Sequence, residues 1–184
     1  MFAPQEDEEG FQDRMHDGKA VERMNLHALP WHPFIAGVYD CLADTRNLYL
    51  LQEAGLGGTL GDLLRTRGAL PASVCRFFLA NIVLALEHIQ RAGIVHGDVK
   101  PDNLVLGADG FLMLADFGVS SRWDEPRIWD ALGTVPYMSP EFAQRRVDDD
   151  AKRALDWWSV GCVLYEMATG KMVRPPPPPR ATSR

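Results

Sequence analysis

The hydrophobic pattern of this chain predicts an α+β fold, and three observations carry that prediction. Apolar residues recur at helical spacing from Pro71 to Ala92 and again from Leu155 to Ala168. Short β-like runs at Ile35 to Tyr39 and Asn47 to Glu53 precede the first of these helices. A third pair of runs, Leu104 to Leu106 and Phe111 to Leu114, flanks Gly107-Ala108-Asp109-Gly110, a hairpin signal lying between the two helices.

Met1 to Gly18 is acidic and poor in apolar residues, so it is expected to be disordered. From Lys19 to Leu29 the residues Val21, Met24, Leu26 and Leu29 are spaced for a short helix that Pro30 ends. The first strand pair turns at Ala43-Asp44-Thr45-Arg46. Leu60 to Arg67 reads as a short helix closed by Gly68. Within Pro71 to Ala92 the residues Val74, Phe78, Ile82, Leu86 and Ile89 form the buried stripe, and Gly93 stops the helix. Gly170 closes the last helix, and no internal repeat is present.

Composition narrows the function classes. With 184 residues, 46% hydrophobic and 24% charged, the chain can bury one core. A net charge of −6 leaves no footprint for nucleic acid, and would suit basic peptide partners. No apolar run is read as reaching the ~20 residues needed to cross a bilayer, and the acidic opening lacks the order of a signal peptide. Cys41, Cys75 and Cys162 show no CxxC spacing, so reduced structural thiols and a cytoplasmic location are expected, with the nucleus not excluded.

The chemistry is concentrated in His96-Gly97-Asp98-Val99-Lys100-Pro101-Asp102-Asn103 and, further on, Asp116-Phe117-Gly118. Together these supply what phosphoryl transfer needs. Asp98 can orient an attacking hydroxyl and accept its proton, Lys100 can neutralise the moving group, and Asn103 and Asp116 can hold Mg²⁺. Asp98 read alone would be a helix-capping carboxylate; in this order the catalytic role is favoured.

Further blocks follow: Gly133-Thr134, then Ser139-Pro140-Glu141, then Asp156-Trp157-Trp158-Ser159-Val160-Gly161. The set resembles the eukaryotic protein kinases, with Ser139-Pro140-Glu141 where that family usually has Ala-Pro-Glu. From about Val21 to Met172 the wording is similar to the cyclic-nucleotide-dependent serine/threonine group, as in Trp31-His32-Pro33-Phe34-Ile35, Leu56-Gly57-Gly58 and Gly93-Ile94-Val95-His96. The resemblance implies a protein-kinase-like fold and transfer of the ATP γ-phosphoryl group, with Mg²⁺, to a protein serine or threonine. It adds Thr134 to the catalytic set beside Asp98, Lys100 and Asn103. It places ATP against Glu53 and Gly55 at the connection between lobes, with Val105 beneath the adenine, Gln52 at its border, and Lys100 and Asp116 toward the phosphates. His96 is then a packed core ring, and Asp156 a structural acceptor for backbone donors of the catalytic loop.

The resemblance divides the chain into an acidic segment at 1–18, a partial N-lobe with hinge at 19–55, a partial C-lobe at 56–173 and a proline-rich tail at 174–184. Before Val21 there is no glycine-rich loop and no Val-Ala-Ile-Lys-like strand, and past Met172 the family's last helices are missing. The N-lobe is therefore expected to be incomplete, nucleotide binding weak, and the best C-helix glutamate, Glu22, without its lysine. Glu141 lacks the arginine that the family pairs with it, so it should turn to solvent or destabilise its segment. A catalytically silent, pseudokinase-like scaffold or an incomplete copy of a longer kinase is the alternative reading.

Two departures look coupled: Gly97 replaces the family's arginine, and Asp130 stands where the group carries an activating phosphothreonine. Either the segment is unswitchable at that position or both changes are drift in a defective copy. Asp102 and Glu166 match carboxylates that read arginines upstream of the acceptor, but Thr59 replaces a third. Pro175–Pro179 could engage a proline-reading module or be a low-complexity tail.

Overall fold

The long helical stripe has its counterpart in helix α2, Ala72–Arg91, which organises everything around it. The computed structural model describes residues 29–44, 48–123, 133–144 and 149–173. Cys75, Phe78, Asn81, Ile82, Ala85, Leu86 and Ile89 form the buried face of α2, with Val74 only partly covered at its start. Pro71 and Ala92 cap this helix, and Gly93 leaves it at φ +80°, a left-handed conformation open to glycine at little cost. By length and composition α2 could span a bilayer, contrary to the sequence expectation; here its apolar face packs inside the fold.

Ahead of it, helix α1 is Leu60–Arg67, and its expected bounds hold. Thr59 caps it: the Thr59 hydroxyl accepts from the Asp62 amide at 3.0 Å, and Asp62 accepts from the Thr59 amide at 3.0 Å. The first strand pair is shifted. Strand β1 runs Val38–Ala43, not from Ile35 to Tyr39, and pairs antiparallel with β2, Leu48–Gln52, past an irregularity between Val38 and Asp40. The reason lies in the backbone bonds of residues 34–36. The Leu114 amide donates to the Phe34 carbonyl and the Ala36 amide to the Leu114 carbonyl, both at 2.9 Å, so this stretch joins a different strand.

That strand is β5, Leu112–Leu114, which forms the expected hairpin with β4, Leu104–Leu106. Asn81 of α2 is buried and accepts the Leu112 amide at 3.1 Å, tying hairpin to helix. Two further strands were not anticipated, β3 at Ile94–Val95 and β6 at Ser121–Arg122, which pair antiparallel. Two residues are too few for periodicity to register. A four-residue helix α3, Pro140–Ala143, starts at Ser139, whose hydroxyl accepts the Phe142 amide.

Helix α4 runs Asp149–Thr169, beginning six residues before the expected Leu155. Its first turns, Asp149 to Ala154, are mostly charged and lack an apolar stripe, although acidic residues suit a helix N-terminus. One core joins α1, α2, α4 and the hairpin through residues such as Leu60, Leu86, Leu114, Phe117, Val163 and Met167. Cys41, Cys75 and Cys162 are free thiols, as expected. The segments at 1–18 and 174–184, the helix expected at 19–29 with Glu22, and Asp130 lie outside the described residues or reach them only at Leu29.

Candidate active site

The loop after β3 is held from below by one buried carboxylate. Asp156, in the middle of α4 rather than at its start, accepts the His96 amide at 2.8 Å and the Gly97 amide at 2.9 Å. Burial raises the pKa of Asp156; the His96 and Gly97 amides that it accepts oppose that rise. His96 is itself fully buried, with Phe117 edge-on at 4.7 Å between ring centres. Its Nδ1 accepts the Asp98 amide at 3.3 Å, which assigns the ring proton to Nε2, the donor to the Ala115 carbonyl at 3.1 Å. Through this one ring the Asp98 loop is bonded to the residue preceding Asp116.

Asp98, Lys100, Asn103 and Thr134 form a single bonded cluster. Oδ1 of Asp98 accepts from the Thr134 amide at 2.8 Å and the Thr134 hydroxyl at 2.7 Å. Oδ2 accepts from Lys100 Nζ at 2.5 Å and Asn103 Nδ2 at 3.1 Å. Lys100 also donates to Thr134 Oγ1 at 2.8 Å. Burial by itself would raise the pKa of Asp98, but the Lys100 ammonium and the two Thr134 donors outweigh it and hold the carboxyl below its ordinary value. At neutral pH the group is a carboxylate, the form that accepts a proton.

Asp116 stands one residue beyond Ala115, whose amide donates to the Asn103 carbonyl at 2.9 Å. Its φ of +63° is unusual for a non-glycine residue, and its exposed carboxylate accepts the Gly118 amide at 3.3 Å. Two glycines allow the close approaches. Gly97 has φ +80° and would bring a Cβ 3.3 Å from the Val119 carbonyl; a Cβ on Gly133 would lie 2.5 Å from the Gly97 carbonyl. Gly133 thus lets the segment bearing Thr134 lie directly against the loop bearing Asp98. The sequence marked Gly133 as part of a pattern but offered no sign of this contact.

The nucleotide-side residues are drawn together by β4. A Cβ on Gly55 would fall 2.6 Å from the Val105 side chain, and the Gly57 amide and Leu106 carbonyl are bonded at 2.9 Å. Glu53 is anchored by its amide to the Gly37 carbonyl at 2.8 Å. Gly55 therefore lies directly against Val105, with no room for a side chain between them. Asn103 spends its Nδ2 on Asp98, leaving Oδ1, and with Asp116 offers oxygen donors of the kind Mg²⁺ takes. By the chemistry of their donors Asn103 and Asp116 fit Mg²⁺.

The carboxylates expected to read arginine already have partners. Arg65, which the sequence did not single out, donates to Asp102 at 3.0 Å and to Asp62 at 2.7 Å. Glu166 accepts the Tyr137 hydroxyl at 2.6 Å. Thr59 is the α1 cap. Glu141 is exposed, beside a surface hollow lined by Trp157 and Trp158.

A family model described as protein kinase domain matches residues 5–178. The chain belongs to this family. That match begins earlier than the resemblance at Val21 and ends later than Met172. Among its kinase relatives, the cAMP-dependent protein kinase, catalytic subunit-like, of Caenorhabditis briggsae is 38% identical over 76% of this chain and 35% of its own length. Human cGMP-dependent protein kinase 2 is 37% identical over 75% of this chain and 18% of its own. The serine/threonine-protein kinase AtPK1/AtPK6 of Arabidopsis thaliana is 39% identical over 76% and 30% respectively. The chain thus spans well under half the length of these relatives. Kinase-domain membership accounts for the mixed helix and strand content.

Proposed function

We propose that this chain forms the catalytic core of a protein serine/threonine kinase, moving the γ-phosphoryl group of ATP to a serine or threonine hydroxyl on a protein. The observation that carries the reading is the Asp98 carboxylate, held ionised by Lys100 and Thr134 and oriented by Asn103. Bound Mg²⁺ would neutralise charge on the phosphates. Asp98 positions the acceptor hydroxyl and takes its proton, while Lys100, bonded to both Asp98 and Thr134, sets a positive charge beside the transfer path. Asn103 Oδ1 and Asp116 would hold the ion. Gly55 and Val105 would receive the adenine, with the Glu53 and Gly55 backbone reading its edge.

A net charge of −6 supports basic protein substrates, and free thiols support a reducing compartment, the cytoplasm or the nucleus. The proline run at 175–179 supports contact with a proline-reading module. The test is phosphate transfer from Mg·ATP to serine- and threonine-bearing peptides. Asp98→Asn should cut the rate by about 10²–10⁴-fold, the share a positioned general base contributes. A variant as fast as the parent would overturn the assignment, as would transfer unaffected by removing Mg²⁺.

A further inference from the structure

Residues 29–36 cross the surface of α2 before pairing with β5, and two histidines meet where they cross. His32 and His88 stack with ring centres 4.6 Å apart and planes 28° apart. His88 Nε2 lies 2.9 Å from the Pro30 carbonyl, so it is the donor there. His32 Nδ1 lies 3.3 Å from the Phe34 amide, so it must be the acceptor and carry no proton. Only one protonation state of His32 fits this site.

We propose that the His32–His88 stack is a proton-sensitive clasp, which fastens residues 29–36 to α2 at neutral pH and releases them in mild acid. A proton on His32 Nδ1 would turn a donor toward the Phe34 N–H, breaking that bond. The new charge would face a second imidazole and the guanidinium of Arg91, which is paired with Glu87 at 2.9 Å. His88, Arg91 and Glu87 all project from α2; from the hairpin the neighbour is the uncharged Phe111, which packs on Phe34. Burial, then His88, then Arg91 lower the pKa of His32 below 6.5. Folding depresses the value, so the clasp is whole above pH 6.5 and weakens as the pH falls through 6.5 toward the folded value.

The clasp reaches the candidate active site through bonds already described. Phe34 and Ala36 pair with Leu114, two residues before Asp116. Loosening residues 29–36 therefore removes one flank of the strand that delivers Asp116, leaving its hairpin with β4. This goes beyond phosphoryl transfer and does not depend on it, so its readout needs no activity.

The experiment is amide hydrogen exchange on the whole chain, corrected for intrinsic rates, at Phe34, Ala36 and Leu114, together with the proton NMR titration of His32. Protection at these amides should fall on acidification through 6.5, by up to about tenfold for each unit separating folded and unfolded pKa. His32→Asn supplies a side-chain oxygen that can accept the amide two residues on and cannot titrate. Its protection should be independent of pH over the same interval. Undiminished protection in the parent, or an equal acid loss in His32→Asn, would overturn the proposal. If that variant fails to fold, a His32 midpoint at or above 6.5 in the parent does so alone.

Discussion

Gly97 and Gly133 have different work to do, although both lie at the Asp98 loop. At Gly97 the constraint is the backbone, since φ is +80° and an L side chain there is strained. Gly97→Ala should cost about 1 kcal/mol in urea unfolding and leave the cluster assembled. At Gly133 the constraint is space, with the Gly97 carbonyl 2.5 Å from an added Cβ. Gly133→Ala must push the segment away, lifting Thr134 from Asp98, and should reduce phosphate transfer more than stability. Asp98 itself makes folding sensitive to acid. Its folded pKa is below 3.8, so its contribution is complete above 3.8 and disappears as the pH falls through the folded value. Melting temperatures between about pH 5 and about pH 3 should therefore drop further for the parent than for Asp98→Asn, which cannot titrate.

Each element near the site is fixed by a polar contact of a different worth. The Thr59 cap of α1 is solvent-facing, and Thr59→Ala should cost about 1 kcal/mol. Asp156 of α4 is 1% exposed and satisfies the buried His96 amide and the half-buried Gly97 amide. Asp156→Ala should cost about 2–5 kcal/mol, because both donors lose their bond and the buried His96 amide regains no water. The two losses, read from denaturant midpoints, should keep that order; the reverse would mean that Asp156 does not support the loop.

Across the whole molecule α2, α4 and the hairpin share one core, so it should unfold as a unit. Trp157 of α4 donates to Gln90 of α2 at 3.2 Å, which makes tryptophan fluorescence a reporter of that junction. Leu86 is fully buried between them. Leu86→Ala should cost about 2–5 kcal/mol and shift the fluorescence and circular-dichroism midpoints together. Separate midpoints would show two independent units. Outward faces are less well covered: Trp158, Tyr165 and, on α2, Phe77 and Leu84 are exposed, which favours association at high concentration.

The two long helices, the hairpin and the charged groups of the loop were legible from residue order alone, because each depends on neighbours within a few positions. Helical spacing marked α2, a Gly-rich turn marked β4 and β5, and the interval from Asp98 to Asn103 marked one bonded unit. Other features were settled by contacts between distant parts of the chain. Thr134 meets Asp98 across 36 positions and Asp156 meets His96 across 60, and neither bond leaves a local pattern. Residues 34–36 have the composition of the strand expected there, yet their backbone bonds go to Leu114, a choice made by the packing of Ile35 into the core. The order of residues determined which groups are available for chemistry. The fold alone decided that Asp98 is held as a carboxylate, since the ammonium, hydroxyl and amides that outweigh its burial come together only in three dimensions.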